Sequence, residues 1–122
     1  MTPLQEPTFL VLAALAGEPL HGYGIIQAVT GLSGGRVELR PGTLYPALDR
    51  LTTDGLVELA REEVVDNRLR RYYRLTDRGA TRLGVAALPL HVFAEAAAAA
   101  LAARAEAASS SPRRRASRVA PA

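Results

Sequence analysis

One stretch of this chain, residues 41–51, places a hydroxyl, an aromatic ring and a guanidinium group on one face of a predicted helix. Its leucines recur every three or four residues, a spacing that buries one side of a helix. Thr43, Tyr45 and Arg50 then point away from the buried side. Hydroxyl and guanidinium groups bind phosphates and base edges, and an aromatic ring can rest against a thymine methyl group. This face is therefore suited to contacts in a DNA groove.

Each of these side chains also has a purely structural interpretation. Thr43 is close enough to the start of the helix to cap it, and Tyr45 is compatible with a half-buried ring. Arg50 lies four residues before Asp54, so an ion pair along the helix is about as favoured as a phosphate contact. The sequence is compatible with both interpretations of all three residues.

A strand rich in arginine follows the helix. Arg70, Arg71 and Arg74 lie close together with no acid among them. Because successive side chains of a strand point to opposite faces, Arg70 and Arg74 share one face with Tyr72, and Arg71 shares the other with Tyr73. One of the two tyrosines is therefore expected to pack inward. Acids precede this strand, so phosphate contacts are expected from the returning strand of a hairpin rather than from the outgoing strand.

The net charge of +3 and the pI of about 9.9 come mainly from the end of the chain. Residues 109–122 contain four arginines and no acid, whereas residues 1–108 contain eleven arginines and twelve acids. Serines and prolines accompany those four arginines, a composition typical of a disordered basic tail. Any binding of DNA by residues 1–108 must therefore depend on local clusters of arginine rather than on overall charge.

Composition limits the remaining classes of function. A chain of 122 residues with 48% hydrophobic residues has room for one domain with a small core. The absence of cysteine excludes disulfides and cysteine-based metal sites, and the presence of only two histidines disfavours a histidine metal site. Residues 22–27 lack the third glycine of a dinucleotide-binding loop, and no catalytic constellation is evident. No enzyme activity and no cofactor are expected, and without a secretory signal the expected location is the cytoplasm.

The order of predicted elements is helix, helix, helix, hairpin, helix. A first helix is expected from about Pro7 to Gly17, and a second from His21 or Gly22 to about Gly31. The third helix opens at residues 41 and 42, runs to about residue 54 and is closed by Gly55. Residues 56–61 and 71–75 then form the strands of a β-hairpin with a polar turn at residues 66 and 67.

The last predicted helix is rich in alanine and covers residues 79–108, about 40 Å at 1.5 Å per residue. Apolar residues spaced alternately by three and four form a seam typical of paired helices. The predicted dimerisation residues on this seam are Leu83, Ala86, Leu90, Phe93 and Ala97. Pro89 is expected to kink the helix or to break it into two. Packing of the helix on its own domain is the alternative, and a membrane span is disfavoured because His91 and Glu95 interrupt the apolar run.

Four blocks of sequence at matching mutual distances resemble the PadR family of bacterial transcriptional regulators. They are His21-Gly22-Tyr23, Leu32-Ser33-Gly34-Gly35, residues 41–48 and residues 71–76. The resemblance is to the shorter type in that family, with a single C-terminal helix. Gly24 departs from the family pattern, because a charged residue that favours helix is common at that position.

The resemblance implies a mainly α (α+β) fold: a winged helix-turn-helix with a two-stranded wing and a long C-terminal dimerisation helix. Residues 1–78 would form the DNA-binding domain, residues 79–108 the dimerisation helix and residues 109–122 the tail. The third helix would enter the major groove, and the wing would touch the DNA backbone or minor groove. The DNA-binding residues predicted on this basis are Thr43, Tyr45, Pro46, Arg50, Arg70, Arg71 and Arg74.

The function implied is that of a repressor that binds a palindromic double-stranded DNA operator as a homodimer. The resemblance also implies a small aromatic effector near the dimer interface, where Phe9, Leu90 and Phe93 are the available lining residues. The alternative is a winged-helix module that binds a protein partner and does not contact DNA.

Overall fold

The computed structural model describes residues 4–110 and divides them between two compact units, one ending at Ala86 and one beginning at Ala87. The elements in chain order are α1 (Glu6–Gly17), β1 (Leu20–His21), α2 (Gly22–Leu32), α3 (Pro41–Thr53), β2 (Val57–Val65), β3 (Arg68–Leu75) and α4 (Asp77–Ser110). The first two residues of the predicted tail, 109 and 110, belong to α4. Residues 111–122 of that tail lie outside the described residues.

The core of the first unit lies among α1, α2 and α3, with the start of β2 at its edge. The fully buried side chains include Leu12 of α1, Ile25 of α2 and Leu44 of α3. Leu48 and Leu51 are also buried, so the spacing of the leucines in residues 41–51 predicted the buried side of α3 correctly. The opposite side of the same helix consequently faces solvent.

The end of α3 sets the direction in which the chain enters the wing, defined as the hairpin of β2 and β3. Gly55 adopts a left-handed backbone conformation, with φ of 76°, as expected for a glycine that closes a helix. The N–H of Gly55 donates to the Thr52 carbonyl over 3.0 Å, and the N–H of Leu56 donates to the Leu51 carbonyl over 2.9 Å. These two bonds satisfy carbonyls in the last turn of α3 and allow β2 to begin at Val57.

The wing is longer than the sequence pattern predicted. Its strands are joined by Asp66 and Asn67, whose φ values of 52° and 63° are those of a tight two-residue hairpin turn. A third strand, β1, pairs antiparallel with β3 and gives the strand order β1-β3-β2. β1 was not predicted, because two residues are too few to show a strand period.

A β-bulge interrupts the pairing of β2 with β3. Leu59 pairs with Tyr73 and Arg61 pairs with Tyr72, so Ala60 is the extra residue on β2. The bulge brings the Arg61 guanidinium over the Tyr72 ring, 4.0 Å from its centroid. It therefore determines which side chains of β2 face those of β3 along the outer part of the wing.

α4 starts by docking on the junction between α3 and β2. The Thr76 side chain caps the helix by accepting a hydrogen bond from the N–H of Gly79 over 3.0 Å, and its hydroxyl donates to the Gly55 carbonyl over 2.6 Å. Thr76 is therefore the N-cap residue of α4. Gly79 is buried against the Leu56 carbonyl, so the first turn of α4 approaches the body closely.

Pro89 lies inside α4, which the structure describes as one helix from Asp77 to Ser110. The predicted alternative of a break into two helices is therefore wrong. Proline has no N–H to donate, so Pro89 removes one hydrogen bond from the helix without ending it.

Candidate nucleic-acid interface

The outward face of α3 carries the four side chains of that helix that were predicted to bind DNA. Thr43, Tyr45, Pro46 and Arg50 are all exposed, and 47% of Tyr45 is accessible to solvent. Thr43 is not the helix cap, because Arg40 precedes the first helical residue and makes no side-chain capping bond. Within residues 4–110 the structure gives Arg50 no ion pair with Asp54, so its guanidinium is available for another anion.

Tyr45 lies where three elements meet. Its ring passes directly over Gly22, the first residue of α2, and together they line a cleft of about 320 Å³. The other side of the cleft is formed by β3, which contributes Leu69, Arg70 and Arg71. The fold therefore brings the exposed tyrosine of α3 to the same cleft as two arginines of the wing.

Carboxylates of β2 face the arginines of β3. Glu62 accepts a hydrogen bond from Arg71 over 3.1 Å, and Glu58 accepts one from Arg74 over 3.4 Å. All four side chains are roughly half exposed. The predicted cluster of arginines is therefore present, but two of its members are paired across the wing. The sequence did not reveal these pairs, because they depend on the register between the strands.

A third ion pair lies on β2 itself. The Arg61 guanidinium donates to Glu63 over 2.8 Å, and this hydrogen bond holds the pKa of the Glu63 carboxyl below its usual range. The same contact raises the pKa of Arg61. Both groups are exposed, so the pair fixes the orientation of the side chains more than it stabilises the fold.

The two adjacent tyrosines of β3 have different surroundings. Tyr73 packs against the core, as expected for one of the pair. Tyr72 lies between the Arg61 guanidinium and the His21 ring, whose centroid is 5.2 Å from that of Tyr72 at an interplanar angle of 55°. Tyr72 thus ties the wing to the residue that precedes α2.

The predicted dimerisation seam divides into two parts. Leu83 packs against the core of the first unit and Ala86 is half-buried. Leu90, Phe93 and Ala97 are exposed, at 57% for Leu90 and 69% for Phe93. By length and composition, α4 is also apolar enough to cross a membrane, with a mean hydropathy of 1.7 in its most apolar window.

Comparison with known families identifies the family of the chain. The sequence profile described as "Transcriptional regulator PadR-like family" matches residues 11–85, which is more than half of the chain. The chain belongs to the PadR-like family. The resemblance predicted from the four sequence blocks is confirmed, and the family consists of transcriptional regulators rather than enzymes.

Two transcriptional regulators are similar to part of this chain. Transcriptional regulator Rv3488 of Mycobacterium tuberculosis is 41% identical over 73 residues, which cover 60% of this chain and 64% of the relative. The chain thus spans less than two thirds of that relative. Transcriptional regulator YqjI of Escherichia coli is 34% identical over 58 residues, covering 48% of this chain and 28% of YqjI.

Solved structures agree with the fold. A PadR-like transcription factor from Bacteroides fragilis superimposes with a TM-score of 0.60 at 30% identity, covering 74% of this chain and 84% of the other. Bacillus subtilis PadR in complex with operator DNA superimposes with a TM-score of 0.58 at 25% identity, covering 66% of this chain and 46% of that protein. The predicted mainly helical winged-helix fold with a long C-terminal helix is confirmed.

Proposed function

We propose that this PadR-like protein is a repressor that binds a palindromic DNA operator as a homodimer in the cytoplasm. The observation that carries the proposal is the meeting of Tyr45 with Arg70 and Arg71 at one cleft between α3 and the wing. The B. subtilis relative whose structure was solved with operator DNA supports the same class of ligand.

The arrangement suits a ligand that carries phosphates at regular spacing. Arg70 and Arg71 of β3 supply charge, and the Tyr45 hydroxyl supplies a hydrogen bond from the adjoining helix. Thr43 and Arg50 extend the same exposed face along α3 toward the base edges of a major groove. Since residues 1–108 carry about as many acids as arginines, these local contacts must supply the attraction.

The size of this interface supports homodimerisation. One helix and one wing per protomer contact a single half-site, so two copies about one helical turn apart are needed for a tight, selective complex. The exposed apolar residues of α4, with Leu90 and Phe93 the most prominent of the predicted seam, offer the second copy a surface. A footprint on the DNA upstream of the protein's own gene should accordingly be two-fold symmetric.

Two variants test the proposal on that upstream DNA. Tyr45→Ala should weaken operator binding about tenfold, because it removes both the hydroxyl and the ring from the cleft. Arg71→Ala should lower the slope of log affinity against log salt by about 0.9 for each protomer, the amount expected for one lost phosphate contact. Arg104→Ala, which removes the same charge from the far end of α4, is the control and should leave the slope unchanged.

The alternative, a module that binds a protein partner, predicts the opposite result. Wild-type affinity for upstream and unrelated DNA would then be equally weak, and Tyr45→Ala would change neither. Retention of full affinity and selectivity by Tyr45→Ala would likewise contradict the placement of α3 in the groove.

Response to a small aromatic effector is the last part of the proposal. A cleft of about 490 Å³, within the size range of small-molecule sites, is lined by Asp54, Leu56, Arg78, Thr81, Arg82 and Val85, and not by Phe9, Leu90 or Phe93. Arg78 suits a ligand that joins an aromatic ring to a carboxylate. Phenolic acids should therefore release the protein from upstream DNA, and Arg78→Ala should reduce that response. Unchanged DNA affinity at millimolar phenolic acid would contradict this part alone.

A further inference from the structure

Gly22 lies directly beneath the ring of Tyr45, although 22 residues separate them in the chain. A Cβ atom at Gly22 would overlap the Tyr45 hydroxyl, and it would lie 2.8 Å from Cζ and 3.3 Å from Cε1 of the ring. Real Cβ atoms essentially never approach non-bonded heavy atoms of other residues more closely than 3.0 Å. Gly22 is buried while Tyr45 remains half exposed, so the ring covers the glycine with one side and faces solvent with the other.

The backbone of Gly22 does not itself require glycine. Gly22 is the first residue of α2 and is not among the residues with positive φ, so alanine could adopt the same conformation. Alanine is also the better helix former. The absence of a side chain at Gly22 therefore serves the close approach of Tyr45 and not the conformation of the helix.

We infer that Gly22 is a positioning residue for DNA recognition, which holds the Tyr45 ring against the start of α2 and so directs its hydroxyl into the cleft shared with Arg70 and Arg71. This inference rests on the proposed function for its effect on DNA. A Cβ atom at Gly22 would force the ring out of the cleft. The substitution would not change any of the predicted DNA-binding residues. Gly22 acts through Tyr45 and needs no contact of its own with the ligand.

Gly24 supplies a matched control within the same helix. A Cβ atom there would meet nothing closer than Nδ1 of His21 at 3.4 Å, which is ordinary contact. Both substitutions replace a helical glycine of α2 by alanine, so they share any effect of helix propensity. They differ in whether the new methyl group meets Tyr45.

The position of the ring can be measured without DNA. With fluorotyrosine incorporated, the four tyrosines give four ¹⁹F resonances, and Tyr45→Phe assigns the one of interest. Gly22→Ala should shift the Tyr45 resonance, and Gly24→Ala should leave it in place. An unshifted Tyr45 resonance in folded Gly22→Ala protein would overturn the inference.

The effect on binding is tested by a double-mutant cycle on DNA from upstream of the protein's own gene. Gly22→Ala should weaken affinity about tenfold, as much as Tyr45→Ala does, and the double variant should be no weaker than Tyr45→Ala alone. Gly24→Ala should remain within about twofold of wild type. Additive losses in the double variant would overturn the inference.

Two further outcomes separate the inference from the proposed function. If Gly22→Ala fails to fold, the double variant with Tyr45→Ala should fold, because the overlapping atoms are gone; failure of both would contradict the assignment. If wild-type protein does not bind DNA but its Tyr45 resonance shifts in Gly22→Ala, the proposed function fails and the positioning of the ring by Gly22 stands.

Discussion

Two glutamates of β2 form ion pairs with arginines of β3 in the absence of DNA. Glu62 contacts Arg71 at 3.1 Å and Glu58 contacts Arg74 at 3.4 Å, with all four side chains well exposed. Exposed ion pairs are weak, so phosphate can replace the carboxylate as the partner of each guanidinium at little cost. The displaced carboxylate nevertheless stays close to the phosphate and repels it. The two glutamates therefore reduce the attraction of the wing for any DNA, whatever its sequence.

Replacement of Glu62 by glutamine should raise affinity for DNA of unrelated sequence. The substitution keeps a side chain of the same shape and removes the charge beside Arg71, so about a threefold gain per protomer is expected at low salt. Fluorescence anisotropy with a random-sequence duplex measures it. Glu106→Gln changes the net charge equally but lies near the end of α4, and it should have no such effect. Equal gains in both variants would mean that only net charge matters.

Residue spacing predicted which side of α3 is buried but not what its exposed side chains touch. Leu44, Leu48 and Leu51 follow a helical period, and all three are buried. The contact of Gly22 with Tyr45 joins two helices, and no local pattern encodes it. The pairing of Glu62 with Arg71 likewise depends on the register that the turn and the bulge impose on the wing.

At the scale of elements, the sequence predicted where α3 ends and where the hairpin turns. Gly55 closes α3, and the polar residues at 66 and 67 make the hairpin turn, both as expected. β1 carried no signal, because its pairing with β3 is a consequence of tertiary packing at two residues. The sequence also did not predict that the first turn of α4 packs on the junction of α3 and β2, since this packing depends on the close approach of Gly79 to Leu56.

Gly79→Ala should destabilise the body. A Cβ atom at Gly79 would overlap the Leu56 carbonyl oxygen and lie 2.8 Å from Cδ1 of Leu75. The first turn of α4 would have to move away from the junction of α3 and β2, at a cost of about 1–3 kcal/mol that outweighs the gain in helix propensity. Thermal unfolding followed by circular dichroism measures the change as a lower Tm.

Gly84→Ala is the control for that prediction. Gly84 lies in α4 as well, but a Cβ atom there would meet nothing within 4 Å. The substitution should raise the free energy of unfolding by about 0.5–1 kcal/mol through helix propensity alone. If Gly79→Ala stabilised the protein as Gly84→Ala does, the first turn of α4 would not be held against Leu56.

At the scale of the whole molecule, the apolar surface of α4 needs an explanation. Among residues 87–110 the side chains of Leu88, Leu90 and Phe93 are all more than half exposed, which is costly for a lone chain in water. A second copy or a lipid bilayer would cover them. Membership of a family of transcriptional regulators favours the second copy, because two recognition helices then reach the same duplex.

Leu90→Glu should convert the protein to a monomer in analytical ultracentrifugation, because a charge at the centre of the seam cannot be buried against a second apolar helix. Val64→Glu, a charge at the wing where the valine is 72% exposed, should leave the dimer intact. Operator affinity of Leu90→Glu should fall steeply while its weak affinity for unrelated DNA persists, since each protomer keeps its own α3 and wing. A dimer that survives Leu90→Glu would contradict this use of α4. Flotation of the wild-type protein with lipid vesicles would show that a bilayer, rather than a second copy, covers the helix.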